Sequence, residues 1–161
     1  MLETPRLILR LLSGEDEHKI VAWRNSKEVI NNLFSYKGIT IDEHRIWYAN
    51  YLQDQTRIEF VICKRNDNEK IGTVGLSSID YKNQTGEYGI LLGENKERGK
   101  GYAKEASIAV INYAFFECNI RKIKLKVFCD NDRAINMYKR LGFNEEGILR
   151  AEIFKNGLFK D

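Results

Sequence analysis

The sequence predicts a mixed α/β fold, a central sheet covered by helices, on three observations. Three β-type segments lie between residues 57 and 92, joined by short polar turns; a strand, helix, strand, helix order carries on from there to residue 141; and Asn156-Gly157 marks a hairpin near the end. At 161 residues, with 43% hydrophobic and 30% charged side chains, the chain is long enough to bury one sizeable core and too short for two. Residues 1–161 are therefore read as a single domain.

Residues 6–11, Arg-Leu-Ile-Leu-Arg-Leu, read as the first strand, and residues 15–23 and 27–34 as two short helical pieces separated near Asn25. Thr40 followed three positions later by Glu43 forms a capping box, after which His44, Trp47, Tyr48, Tyr51 and Leu52 recur at helical spacing. Residues 57–63, 70–81 and 86–92 are strands, with Asn66-Asp67-Asn68 and Lys82-Asn83-Gln84 as the turns. Turns this short predict an antiparallel meander.

One apolar stripe, Ala103, Ala106, Val110, Tyr113 and Ala114, predicts a helix over 101–117. Ile123, Leu125, Val127 and Cys129 alternate with Lys122, Lys124, Lys126 and Phe128, so 122–129 reads as a strand with one largely polar face and with Cys129 as a small buried hydrophobe. A helix over 133–141 follows. Two strands then flank Asn156-Gly157, both of which tolerate the positive φ of a tight turn.

Composition removes several function classes. The net charge of +3, from 26 Lys+Arg against 23 Asp+Glu, is small and dispersed, so no nucleic-acid surface is expected. No apolar run is long enough to span a bilayer, and Met1 to Arg6 lacks the basic-then-apolar pattern of an export signal. Cys63, Cys118 and Cys129 are odd in number and widely spaced, which fits reduced thiols rather than disulfides, and His18 and His44 sit in no ligand cluster, so no metal is expected. The expectation is a soluble cytoplasmic protein that works on a small molecule or a peptide, with a homodimer allowed.

Chemistry concentrates in two segments. Leu92-Gly93-Glu94-Asn95-Lys96-Glu97-Arg98-Gly99-Lys100-Gly101-Tyr102-Ala103 carries the chain from a strand into a helix, where unpaired backbone N–H groups and the positive end of the helix dipole suit a diphosphate. The glycines let an anion approach the backbone, and Arg98 and Lys100 add positive charge. A dinucleotide fingerprint is excluded, since it needs three glycines at G-x-G-x-x-G and a different order of elements. The second segment runs from Asn131 to Phe143, in which Asn131 and Tyr138 stand about two helical turns, roughly 10 Å, apart on one side of a helix, with small Ala134 between them.

Arg98-Gly99-Lys100-Gly101-Tyr102-Ala103 resembles the R/Q-x-x-G-x-G/A loop of the GCN5-related N-acetyltransferase (GNAT) superfamily, and Asn131 to Phe143 matches that superfamily's N-x-x-A-x-x-x-Y-x-x-x-G-F pattern, in the same order along the chain. The resemblance implies the GNAT fold, a mostly antiparallel sheet splayed between its central strands, and acetyl-CoA held in the gap with direct transfer to an amine. It further implies that Arg98, Gly99, Lys100, Gly101, Tyr102, Ala103 and Lys104 hold the CoA diphosphate, that Leu91, Leu92 and Gly93 hydrogen-bond the pantetheine arm, that Asn131 contacts the cofactor, and that Tyr138 protonates the departing thiolate. Taken as residues alone, Asn131 is also an N-cap and Tyr138 a packing tyrosine.

A base must neutralise the acceptor amine, and Glu87, on the strand leading to the loop, is the first candidate, with His44 second. Ser77, Ser78 and Tyr88 are expected to line the acceptor pocket. Thr4 to Arg10 resembles the opening of the ribosomal-protein N-terminal alanine acetyltransferase branch. Trp23-Arg24-Asn25 and Glu43-His44-Arg45-Ile46-Trp47 resemble the sugar-nucleotide amine acetyltransferases of pseudaminic acid biosynthesis. The second resemblance implies a UDP-linked 4-amino-4,6-dideoxy sugar as acceptor, with Arg24 and His44 touching it. The first implies a protein N-terminus, and a non-catalytic acetyl-CoA sensor is a third reading on the same fold.

Overall fold

The computed structural model describes all residues 1–161. Strands β1 (Leu2–Glu3), β2 (Leu7–Leu11), β3 (Ile58–Lys64), β4 (Lys70–Asp80), β5 (Thr85–Leu92) and β6 (Lys122–Lys124) form one sheet in chain order. Every neighbouring pair is antiparallel except β5 and β6, which run parallel. The meander follows from its turns: Asn68 takes φ of 57°, which asparagine accepts at low cost, and Gln84 takes 54°.

Helix α1 (Glu17–Asn25) follows a 3-10 turn at Gly14–Asp16, and α2 (Lys27–Ile30) starts at once, with Ser26 as the N-cap that separates them. The second expected piece therefore ends at Ile30 instead of residue 34. Helix α3 (Ile41–Tyr51) begins at the expected box, the Thr40 hydroxyl accepting from the Glu43 N–H at 3.1 Å while the Glu43 carboxylate accepts from the Thr40 N–H at 2.8 Å.

Strand alternation sorts the core to both faces of the sheet. Leu7, Leu9, Phe60, Ile62, Val74, Leu76 and Tyr88 pack against Ala106, Val110 and Ala114 of α4 (Tyr102–Phe116). On the other face Val61 and Cys63 meet Ile20 and Trp23 of α1, with Trp47 and Tyr51 of α3 and Leu91 of β5 alongside. Asp16 fastens the start of α1 to the sheet. Its carboxylate, 1% exposed, receives Arg10 at 2.6 Å and Lys70 at 2.7 Å.

Helix α5 (Asp132–Arg140) and a separate hairpin of β7 (Ile153–Lys155) and β8 (Leu158–Lys160) complete the chain. Asn156 and Gly157 make the hairpin turn with φ of 53° and 80°. Lys155 is buried and donates to the carbonyls of Ile30, Leu33 and Ser35, tying the hairpin to the segment after α2.

The expected strand over 122–129 is corrected. Pairing with β5 ends at Glu87 and Lys124, where the two strands diverge, so residues 125–129 have no partner on β5. Phe128, placed by alternation among the lysines, is buried instead, with its ring edge-on to Phe34 at 5.0 Å. Cys129 is exposed, and its N–H donates to the carbonyl of Asp161 at 3.2 Å. Alternation cannot survive where the ladder that enforces it has ended.

Candidate active site

The divergence of β5 and β6 opens a cleft in the sheet, and β5 presents half its backbone to it. Gln84 on β5's leading edge accepts from Arg121 and Lys122 toward β6, whereas Gly93 donates to Ile71 of β4 at 2.9 Å. Backbone groups alternate along a strand, so Ile90 and Leu92 turn N–H and C=O to the cleft while Leu91 and Gly93 turn theirs to β4. Of the three residues expected to meet a pantetheine arm through the backbone, only Leu92 faces the cleft, and Ile90, which the sequence reading passed over, joins it. Parity read from Gly93 back along β5 would have found it.

Leu91 and Gly93 have other tasks. Leu91 points its side chain to the α1 and α3 face. A Cβ on Gly93 would lie 2.0 Å from Trp23 Cγ, so the missing side chain lets the indole lie flat on the strand end. The Trp23 Nε1–H then donates to Glu94 at 2.9 Å.

At the mouth of the cleft Gly99 and Gly101 take φ of 79° and 84°, and Gly101 is the left-handed N-cap of α4. The first backbone bond of the helix is donated by Glu105 to Gly101 at 3.1 Å, which leaves the N–H groups of Tyr102, Ala103 and Lys104 without an intrahelical acceptor. Arg6 braces this turn from below, donating to the Lys100 carbonyl at 2.9 Å and to Glu105 at 2.7 Å, with its guanidinium 4.5 Å from the Tyr102 ring centroid. Lys104 is exposed, and Lys100 pairs with Glu97 at 2.9 Å. Arg98 turns back to the Leu92 carbonyl at 3.1 Å. Unpaired amides, two left-handed glycines and flanking cations fit the diphosphate of a CoA molecule.

Asn131 caps α5, its Oδ1 accepting from Ala134 at 3.2 Å, while its Nδ2 lies 3.4 Å from Asn32 Oδ1. Tyr138 is half-buried, edge-on to Tyr88 at 6.2 Å and to Phe143 at 5.9 Å, on the α4 side of the cleft. Burial raises its phenol above the ordinary value, so it stays protonated at neutral pH.

On the opposite face a cavity of about 190 Å³ is walled by Trp23 and Arg24 of α1, Ile39, His44 and Trp47 of α3 and its entry, Glu59 of β3 with Arg57 just before that strand, Thr73 of β4 and Leu91 of β5. That size suits the amine-bearing end of a molecule rather than the whole of a large one. Arg24 Nε and His44 Nε2 are buried there without a hydrogen-bond partner. His44 stacks on Trp47 at 5.4 Å, and burial lowers its imidazole below the usual value, so it is neutral at pH 7.

The structure places Arg24 and His44 on one cavity wall and keeps four other expected residues apart from them. Tyr88 does not line a pocket: it is 4% exposed in the α4-side core, and its hydroxyl lies 2.5 Å from Ser107 Oγ. Ser77 and Ser78 sit at the bulge that interrupts the β4–β5 pairing before Asp80, where Ser78 is exposed with φ of 49°, outside the cavity wall. Glu87 lies between Ser77 and Lys124 in register, half-buried, on the cavity's face of the sheet but outside its wall.

A family model described as an acetyltransferase (GNAT) domain matches residues 6–144. The spermidine N(1)-acetyltransferase of Vibrio cholerae is 31% identical over 156 residues, covering 97% of this chain and 89% of that protein. That of Escherichia coli K12 is 32% identical over 154 residues, covering 95% and 81%. Among solved structures, the Vibrio cholerae spermidine N-acetyltransferase in complex with CoA and spermine matches with a TM-score of 0.92 at 30% identity, over 98% of this chain and 92% of that one.

Proposed function

We propose, from the premise that this chain belongs to the GNAT acetyltransferase family and is an acetyl-CoA-dependent N-acetyltransferase, that its acceptor is a small primary amine carried on an oxygen-rich molecule. The amino sugar of a sugar nucleotide belongs to that class. The carrying observation is the pair of buried, unpartnered nitrogens, Arg24 Nε and His44 Nε2. The Arg24 Nε–H is a fixed donor whose missing bond costs about 1–3 kcal/mol, a cost that a hydroxyl, carbonyl or phosphate oxygen on the ligand would remove, while the neutral His44 Nε2 donates in one tautomer and accepts in the other.

Acetyl-CoA supplies an activated thioester when bound. The chain's own residues do the rest in this reading. The N–H groups of Tyr102 to Lys104, with Gly99 and Gly101 clearing the approach, hold the diphosphate. The cleft-facing backbone of Ile90 and Leu92 aligns the pantetheine arm as an added strand. Tyr138, kept protonated by burial, gives its proton to the departing sulfur; a thiol near pKa 8.5 is more acidic than a phenol near 10, so the thiolate leaves with only mild help from that proton.

A second reading takes its support from the relatives, whose named acceptors are polyamines. The cavity wall tempers it: Arg24 and Arg57 bring two guanidinium groups to meet a polycation, balanced by Glu43 and Glu59. A side-by-side assay of thiol release from acetyl-CoA with a UDP-4-amino-4,6-dideoxy sugar, spermidine and an alanine-starting peptide separates these readings. Turnover is expected with the sugar nucleotide, and efficient turnover with spermidine alone would overturn the oxygen-rich acceptor.

A further inference from the structure

Glu59 stands out on the cavity side of the sheet because bare backbone separates it from the cleft. It pairs in register with Gly75 on β4, and Gly75 pairs with Gly89 on β5, so the three lie in one row across three strands on the same face. The row's two inner positions carry no side chains. The carboxylate already extends along it: a Cβ built on Gly75 would lie 2.9 Å from Glu59 Oε2, while one on Gly89 would meet nothing within 4 Å.

Strands are spaced about 4.8 Å apart, so Glu59 and Gly89 are separated by about 10 Å, and the glutamate side chain spans roughly the first half. The remainder has room for an amine or one water next to Ile90, whose backbone faces the cleft. Glu87, the expected base, sits one step further along β5, between Ser77 and Lys124 and outside the cavity wall.

The geometry points to Glu59 as the proton acceptor for the incoming amine, directly or through one water held over Gly75 and Gly89. The assignment rests on the acetyl-transfer reading above. The acceptor ammonium gives one proton to the Glu59 carboxylate; the neutral nitrogen forms the N–C bond as the C–S bond breaks; the nitrogen's second proton leaves to water; and Tyr138 supplies the proton for sulfur, to be refilled from solvent. One amide, one thiol and one net proton result.

The surroundings suit the task. Arg57, just before the strand, holds Oε1 at 3.1 Å and fixes the side chain's direction. Arg24 of α1, His44 and Glu43 of α3 and Tyr51, whose hydroxyl accepts from the Glu59 N–H at 3.3 Å, complete the groups that face it, and Glu87 shares its sheet face. Burial raises the Glu59 carboxyl above the ordinary carboxylate value against the opposing pull of Arg57 and Arg24, toward the range in which a carboxylate accepts protons well.

The test compares wild type, Glu59→Gln, Glu59→Asp and Glu87→Gln in steady-state acetyl transfer from pH 6 to 10, using whichever amine of the panel wild type turns over, with CoA titration and thermal melting as checks of folding. Glu59→Gln is expected to lower kcat about a hundredfold at pH 7 with CoA affinity unchanged, the deficit shrinking as rising pH neutralises the amine unaided. Glu59→Asp, with its carboxylate drawn back, is expected to fall between. A deficit constant across pH, no deficit, or the same pH-dependent loss in Glu87→Gln instead would overturn the assignment while leaving acetyl transfer intact. Absence of thiol release by wild type with every amine would overturn both.

Discussion

The two sides of the cleft are built from different materials. The side proposed to hold the cofactor is mostly main chain: N–H groups of Tyr102 to Lys104, two left-handed glycines and the cleft-facing groups of Ile90 and Leu92. The side proposed to hold the acceptor is mostly side chains, Trp23, Arg24, His44, Trp47 and Glu59, drawn from two helices and a strand. Backbone recognition is indifferent to most substitutions so long as the turn keeps its shape, and side-chain recognition changes with each residue. One half of the molecule can therefore stay the same while the other is altered to take a new amine.

Four substitutions probe that division. The largest effect is expected from Asp16→Asn, which leaves Arg10 and Lys70 facing a neutral amide and should cost about 3 kcal/mol, read as a lowered denaturation midpoint. Because Asp16 secures α1, the loss should also blur acceptor binding, with CoA affinity retained. The same carboxylate predicts an acid limit. Burial works against its ionisation, but the hydrogen bonds from Arg10 and Lys70 prevail and hold it well below the ordinary value. Its contribution is then full above about pH 4 and disappears as pH falls toward that depressed value, which acid titration of stability would reveal.

Tyr138→Phe follows, with turnover expected to drop about a hundredfold, some 2.7 kcal/mol of barrier, and CoA affinity unmoved. Unchanged single-turnover rates would remove Tyr138 from the reaction. Arg24→Ala should raise the acceptor KM about tenfold, the scale of one charged hydrogen bond, with the KM for acetyl-CoA constant. Equal weakening of both would erase the distinction between the two sides. Gly101→Ala is the mildest: a left-handed alanine costs about 1 kcal/mol, and its Cβ would meet Arg6 Nη2 at 3.3 Å, so CoA binding should weaken several-fold with the acceptor KM unaffected.

The same division explains what could be read in advance. Thr40 with Glu43, Asn156 with Gly157, and the glycines at 99 and 101 each announce a local backbone event, and each appears where its chemistry requires. The end of β6 at Lys124 has no local signal, because a strand stops when its neighbour diverges and not when its alternation ceases. Tyr88 misled for a related reason: it lies on the cleft strand, but the face it uses is the α4 core.

Glu59 was hidden by its context. Arg57-Ile58-Glu59-Phe60 reads as ordinary alternation with a solvent-facing carboxylate, and only the register with Gly75 and Gly89 shows what lies beside it. A faint cue exists in the chain itself. Glu59 interrupts the run into Phe60-Val61-Ile62-Cys63, all buried, so the face it occupies continues into the interior at Val61 and Cys63.

Lys155 gives the chain a schedule. Its ammonium gathers the carbonyls of Ile30, Leu33 and Ser35, the stretch that leads to Ile39 on the cavity wall, from a position more than a hundred residues later. A polypeptide grown as far as Phe143 already contains the cleft strands, Tyr138 and the Phe128 ring that meets Phe34, but not the ammonium that gathers those three carbonyls. The segment that leads to the cavity wall therefore receives its last three hydrogen bonds only once the final hairpin has been made.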